Sequence, residues 1–104
     1  MENGSPEVAD APDRSRYEAH VDGELAGVAE YRDRRDQRIF MHTTVTLEGH
    51  GVGGALARGA LDDVRARGMR AVPKCPFIAA WIRRHPDYED LVPEDRRDLL
   101  EERA

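Results

Sequence analysis

Glu48-Gly49-His50-Gly51-Val52-Gly53-Gly54-Ala55-Leu56 stands where a strand-like run gives way to a helical one. It packs four glycines into the six residues 49–54. Upstream, Ile39 to Leu47 is rich in β-branched residues and is the strongest strand candidate in the chain. Downstream, Val52, Leu56, Ala60 and Val64 recur every four residues with Ala57 and Leu61 beside them, which is helical spacing. Asp62, Asp63, Arg65 and Arg67 fill the other face, and Gly68 stands where a helix C-cap glycine belongs. A helix start leaves backbone N–H groups unpartnered and carries partial positive charge. Glycines just before it remove the Cβ atoms that would hold an anion away. Strand, glycine turn and helix in this order predict a cradle for a phosphate or pyrophosphate. The alternative is a tight turn that needs glycine only for its backbone angles. The number of glycines and their position between strand and amphipathic helix favour the cradle.

Working outward, Tyr17 to Val21 and Leu25 to Tyr31 read as two further strands. Asp22-Gly23 between them suits the left-handed turn of a two-residue hairpin. Asp33-Arg34-Arg35-Asp36-Gln37 makes a second, charged turn, so the three strands form an antiparallel meander. Residues 1–14 mix Pro, Gly, Ser, Asp and Glu and read as a flexible, solvated tail, leaving 15–104 as one domain. Beyond the long helix, Met69 to Val72 reads as a short strand limited by Pro73. Pro76 opens a second helix that carries Phe77, Ala80, Trp81 and Arg84 on one face and ends at His85-Pro86-Asp87. Pro93 to Arg103 reads as a final charged helix. The predicted class is α+β, in the order β-β-β-α-β-α. A mostly antiparallel sheet of about four strands is packed by two main helices, with a C-terminal helix after them.

Composition narrows the function. The net charge is −5 and the pI near 5.3, which argues against nucleic-acid binding, since displacing counterions from phosphate needs a basic surface. No basic-then-apolar leader opens the chain, and no apolar run approaches the length that spans a bilayer. One cysteine, Cys75, permits no internal disulfide and points to a reducing, cytoplasmic setting. Nucleotide hydrolysis of the P-loop type needs Lys and Ser or Thr after the last glycine, where this chain has Ala55-Leu56. A dinucleotide site expects an acidic residue at the end of the next strand, where this chain has Pro73-Lys74-Cys75.

Gly49-His50-Gly51-Val52-Gly53-Gly54-Ala55-Leu56 resembles motif A of the GNAT acetyltransferases: Gln or Arg, two residues, Gly, one residue, then Gly or Ala. The likeness is nearer to a small single-domain branch, the YjdJ-type N-acetyltransferase-like proteins. It runs through Asp22-Gly23-Glu24, Gly27, Tyr31, His42-Thr43, the glycine loop, Cys75-Pro76-Phe77 and Arg84-His85-Pro86 to Tyr88, Leu91 and Val92. The resemblance implies a minimal GNAT-like fold with acetyl-coenzyme A as cofactor and an amine acceptor. It further implies that the amides of Gly49, His50, Gly51, Val52, Gly53 and Gly54 hold the pyrophosphate, and that Thr44, Val45 and Thr46 pair with the pantetheine arm. Glu48 departs from the pattern's Gln or Arg, and a carboxylate beside a pyrophosphate is unfavourable unless it points away. His50 offsets this as a donor next to phosphate.

Acetyl transfer to an amine needs a neutral amine, a polarised carbonyl and a protonated leaving thiol. Cys75, at a strand end just before a helix start, is a candidate nucleophile, set against the reading of an inert buried side chain. His42 on the central strand is a candidate general base, set against a structural histidine. Arg83, Arg84 and His85 either cap a helix or contact the coenzyme 3′-phosphate or an acidic substrate. Phe77 and Trp81 read as core, set against a reading in which one of them walls the acceptor site, and Glu94-Asp95-Arg96-Arg97-Asp98 reads as a solvated helix face. Three functions stay open at this level: an N-acetyltransferase acting on a small-molecule or protein amine, a non-catalytic coenzyme A-binding or sensing module, and an interaction domain with an incidental glycine turn. GNAT enzymes commonly build the acceptor pocket from helices after their first strand, and by that resemblance the hairpin at Asp22-Gly23 leaves no room for them. The acceptor site is therefore expected to be open, suiting a protein or peptide acceptor, or to be completed by a second subunit, and the sequence sets no oligomeric state.

Overall fold

The computed structural model describes residues 5–101. Its sheet has five strands in the order β1-β2-β3-β4-β5, built from Glu7–Ala11, Arg16–Val21, Glu24–Arg34, Gln37–Val45 and Arg70–Pro73. The first four run antiparallel, and β5 lies parallel to β4. The β2–β3 turn places both Asp22 and Gly23 at positive φ, 52° and 84°, as a primed two-residue turn requires. The β3–β4 turn similarly holds Arg35 at φ 59°. A parallel neighbour needs a crossover, and α1, Val52–Ala66, supplies it between β4 and β5. Helix α2, Pro76–Arg84, follows β5.

One apolar cluster joins the sheet to both helices. From α1 it takes Val52, Leu56, Ala57, Ala60, Leu61 and Val64, which are the residues that the helical spacing picked out. From α2 it takes Ile78, Ala79, Trp81 and Ile82, and from the strands Tyr17, Ala19, Val21, Ala29, Tyr31 and Phe40. The opposite sheet face bears polar residues such as Glu18, His20, Glu30, His42 and Thr44, which remain partly or wholly exposed.

Two expectations need correction. Residues 7–11, read as part of a tail, form β1 along the edge of β2, so the sheet has five strands instead of four. The reason lies in contacts remote in sequence. Asp10 accepts hydrogen bonds from the Tyr31 hydroxyl at 2.6 Å and from Arg67 at 3.3 Å, and Val8 rests against Gly59 of α1, where a Cβ would meet it at 2.9 Å. Residues 1–4 lie outside the described residues. The expected C-terminal helix over 93–103 takes 3-10 form over Glu94–Leu100, after another 3-10 helix over Pro86–Leu91, and residues 102–104 lie outside the described residues. Buried Leu100 and bonds from Arg97 to the Val92 carbonyl (3.0 Å) and from Arg83 to the Leu100 carbonyl (3.2 Å) tie that segment to the domain.

At the far end of α1 the sheet closes over a buried guanidinium. Arg38 is only 4% exposed. Its Nε and Nη2 donate to Asp33 at 2.8 Å each, its Nη1 donates to the Tyr17 hydroxyl at 2.8 Å, and its Cζ sits 4.0 Å from the Tyr31 ring centre. Tyr17 donates in turn to Asp63 at 2.7 Å, which also receives Arg67 at 2.7 Å. The carboxylate of Asp33 beside Arg38 raises the guanidinium's hold on its proton. Burial and the bond to Asp63 push the Tyr17 hydroxyl well above the ordinary phenol range, and burial and the bond to Asp10 do the same to Tyr31. Among the described residues, no buried side-chain nitrogen or oxygen is left without a partner.

A bulge in β4 sets which side chains reach which face. Tyr31 pairs with Phe40 and Glu30 with His42, so Met41 is the extra residue. Before it, Arg38 and Phe40 point into the core. After it the alternation reverses: Thr43 and Val45 are half-buried on the helix side, while His42 and Thr44 are exposed on the other.

Candidate coenzyme site

The glycine stretch leads into α1 with Gly51 as its N-cap at φ 68°, ψ 27°. No side chain caps this end, and no acidic residue stands in the first turn. The first helical bond runs from the Ala55 amide to the Gly51 carbonyl at 3.0 Å. The amides of Val52, Gly53 and Gly54 therefore precede the helical ladder, at the positive end of a 15-residue helix. Three of the four glycines divide into two roles, while at Gly54 a Cβ would meet only Trp81 at an ordinary 3.8 Å. Gly49 (φ 84°) and Gly51 are needed for positive φ, and a Cβ on either would meet nothing within 4 Å, so their faces open on free space. Gly53 is needed for packing, because a Cβ there would lie 2.8 Å from the Phe77 ring. A fifth glycine, which the resemblance included without a structural role, seats the helix. At Gly27 on β3 a Cβ would lie 2.8 Å from Val52 and 2.9 Å from the Thr44 carbonyl, so this glycine lets the first turn of α1 settle onto the sheet.

These residues border a groove of about 370 Å³. Val45, Gly49, Gly51, Val52, Gly53 and Gly54 line it. So do Leu47, Phe77 and Glu48, which the sequence reading left out of the site. Phe77 is 37% exposed, which corrects its reading as core, whereas Trp81 is buried as expected. Glu48 is exposed at the groove's edge, so the negative charge flagged by the sequence does stand there. His50 is exposed beside it, its Nδ1 3.2 Å from the Glu48 carbonyl.

The groove continues into a gap between strands. β5 accompanies β4 only as far as the pair Phe40 and Pro73, after which the Cys75 amide donates to the Phe40 carbonyl at 2.9 Å and the chain turns into α2. Residues 41–45 keep β3 on one side, and among the described residues no strand pairs with their other edge. That edge offers backbone donors and acceptors to an extended ligand. Val45 lines the groove, while Thr44 and Thr46 are exposed on the alternate face of the same segment.

The proposed chemical residues do not form one cluster. Cys75 is 3% exposed, with its Sγ 3.3 Å from the Thr43 hydroxyl in the helix-side layer. His42, the next residue along from Thr43, faces the other side of the sheet because of the bulge. His85 closes α2: its Nδ1 lies 2.7 Å from the Trp81 carbonyl and its ring stacks on the Trp81 indole at 3.7 Å between centres. Arg83 is engaged with the C-terminal segment. Arg84 ends α2, and its side chain makes no hydrogen bond or ion pair among the described residues. The described residues hold no group of three or more His, Cys, Asp or Glu placed to bind a metal, and no helix long and apolar enough to cross a membrane.

No curated protein matches the chain. The profile of the GCN5-related N-acetyl-transferases, however, matches residues 16–91, which include β2 to β5, the glycine groove, Cys75 and α2. That span is well over half of the 104 residues, and it contains the groove and the strand gap described above. The chain belongs to the GCN5-related N-acetyl-transferase family.

Proposed function

We propose that this protein is an N-acetyltransferase of the small YjdJ-type branch that binds acetyl-coenzyme A in the groove at residues 49–54 and passes the acetyl group to an amine. The observation that carries this reading is the uncapped start of α1 set against the unpaired edge of β4. The first suits a pyrophosphate, through oriented N–H groups and the helix dipole. The second suits a pantetheine arm, whose two amides can pair with a free strand edge as another strand would. Thr44, Val45 and Thr46 supply that edge, and the amides of Gly49 to Gly54 supply the cradle. Helix α2 starts beside the cradle, where Phe77 covers Gly53, and its basic end lies roughly 12 Å further on. Arg84 there is available for the coenzyme 3′-phosphate. With one buried cysteine, the protein suits a reducing, cytoplasmic compartment.

In the transfer itself the amine nitrogen attacks the thioester carbonyl. A C–N bond forms, the C–S bond breaks and coenzyme A leaves as a thiol. The thioester end of an arm lying along β4 falls near the bulge, between Cys75 with Thr43 on one face and His42 on the other. His42 is the general base. A covalent variant has the Cys75 sulfur attack first, exchanging one thioester for another before the amine arrives. The burial of Cys75 favours a second reading, a module that binds coenzyme A without turning it over.

Intact mass after incubation with acetyl-coenzyme A, together with thiol release across a broad amine panel, separates these. Acetylamine formation with no protein adduct supports direct transfer. An added acetyl group that vanishes in Cys75→Ala supports the covalent route. Tight coenzyme binding without product from any amine overturns the enzyme reading and leaves the binding module.

A further inference from the structure

We infer that the acceptor enters from the uncovered face of the sheet, at a pocket built on the β4 bulge, and that it is an amine bearing its own carboxylate. This rests on the acetyltransferase reading above. The pocket has a volume of about 330 Å³ and is lined by Glu30, Tyr31, Met41 and His42, with Arg14 and Arg32 at its border. Four of these are the bulge and its partners: Met41 is the inserted residue, and Glu30 faces His42 directly across the two strands. The volume is at the low end for small-molecule sites. Strict alternation through Met41 would turn His42 toward the core with Phe40, whereas the bulge pairs it with Glu30 and leaves its imidazole on the pocket's face. The same irregularity stands where β5 leaves β4, so an acceptor held at His42 is next to the free strand edge, with no strand between it and a thioester lying there.

The charges select the acceptor. Glu30 offers a carboxylate to an ammonium group at the position of the only imidazole in the pocket. Two guanidiniums share the border, but they are not equivalent. Arg14 is paired with Glu18 at 3.3 Å, a carboxylate that also holds Arg16 at 2.9 Å. The Arg32 side chain makes no hydrogen bond or ion pair among the described residues. A ligand with one ammonium and one carboxylate satisfies Glu30 and Arg32 together, whereas a polyamine places a second cation against Arg32. Once bound, the ammonium gives a proton to His42, and the nitrogen lone pair forms the C–N bond as the C–S bond breaks. Over the turnover one proton goes to the coenzyme sulfur and one to solvent.

The test titrates the protein with amino acids from glycine to 6-aminohexanoate, their methyl esters and simple alkylamines. It is run with and without coenzyme A and read by NMR shifts of the Arg32 and His42 side chains. The account expects at least one free acid to bind about tenfold more tightly than its ester. It expects Arg32→Gln to erase that preference with coenzyme A affinity unchanged, and Glu30→Gln to weaken the amino acid but not the matching alkyl carboxylate. Equal binding of acid and ester, a preference that survives Arg32→Gln, or silence at both side chains with every amine would overturn it. Loss of coenzyme A binding by the wild-type protein would instead defeat the acetyltransferase reading, and the titration without coenzyme still judges the pocket.

Discussion

The two ends of α1 solve opposite problems. At its C-terminal end, strands β1 to β4 and the helix close around Arg38, and among the described residues no buried side-chain nitrogen or oxygen there lacks a partner. At its N-terminal end no side chain caps the helix, Gly49 and Gly51 face free space, and β4 runs on without β5. The first end spends its charges on holding five elements together. The second leaves backbone groups open, which is where the proposed coenzyme would sit. The difference predicts that substitutions at the Arg38 end change stability and those at the glycine end change coenzyme affinity.

Arg38→Ala carries the largest expected effect. It removes the bidentate partner of Asp33 and the donor to the Tyr17 hydroxyl, and leaves Asp10 to Tyr31 and Arg67, at a cost of about 3 kcal/mol, near the lower figure for breaking a buried pair because Asp33 is 44% exposed. Thermal unfolding should move down by roughly 15 °C, while coenzyme affinity measured well below the new midpoint should stay within about twofold. A large affinity loss with an unchanged midpoint would break the comparison. Gly51→Asp should do the reverse. A carboxylate in the open face of the cradle is expected to weaken coenzyme A by roughly 100-fold. Aspartate tolerates positive φ at a cost of only about 1 kcal/mol, so the fold should survive. Calorimetric titration beside a melt reads both.

A smaller effect concerns pH. Tyr17 and Tyr31 have folded pKa values raised above those of the unfolded chain. The stability tied to their protons is fully present below the unfolded value of about 10 and is lost as pH rises above it toward the folded values. Unfolding by urea should therefore become easier above about pH 10, and Tyr17→Phe should flatten that slope. The smallest effect expected is at Glu48, which borders the groove. Glu48→Gln should tighten coenzyme A by about threefold, with the gain shrinking as salt screens the exposed charge.

The sequence exposed one of these ends far better than the other. The cradle was legible because its parts are consecutive: a β-branched strand, a glycine turn and a four-residue apolar repeat, all within residues 39–64. Both hairpin turns were local too. The Arg38 network was not legible, because Asp10, Tyr17, Tyr31, Asp33, Arg38 and Asp63 come from five elements and each looks like an ordinary surface residue in its own segment. β1 was lost for the same reason, since Asp10 and Val8 are fixed by Tyr31, Arg67 and Gly59 and not by their neighbours. The bulge at Met41 also left no signature. A strict period of two would have put His42 with Phe40 in the core, and only the register against Glu30 and Tyr31 turns it outward. Gly27 looked like any strand glycine, although it seats the helix start on the sheet.

The most direct measurement is a coenzyme A titration followed by amide NMR across the whole chain. The account predicts that the amides of Gly49 to Gly54 shift first and most and those of residues 41–45 follow, while the signals of Tyr17, Asp33 and Arg38 stay in place. A bend whose amides do not move at saturating coenzyme, or shifts centred on the Arg38 end, would contradict it.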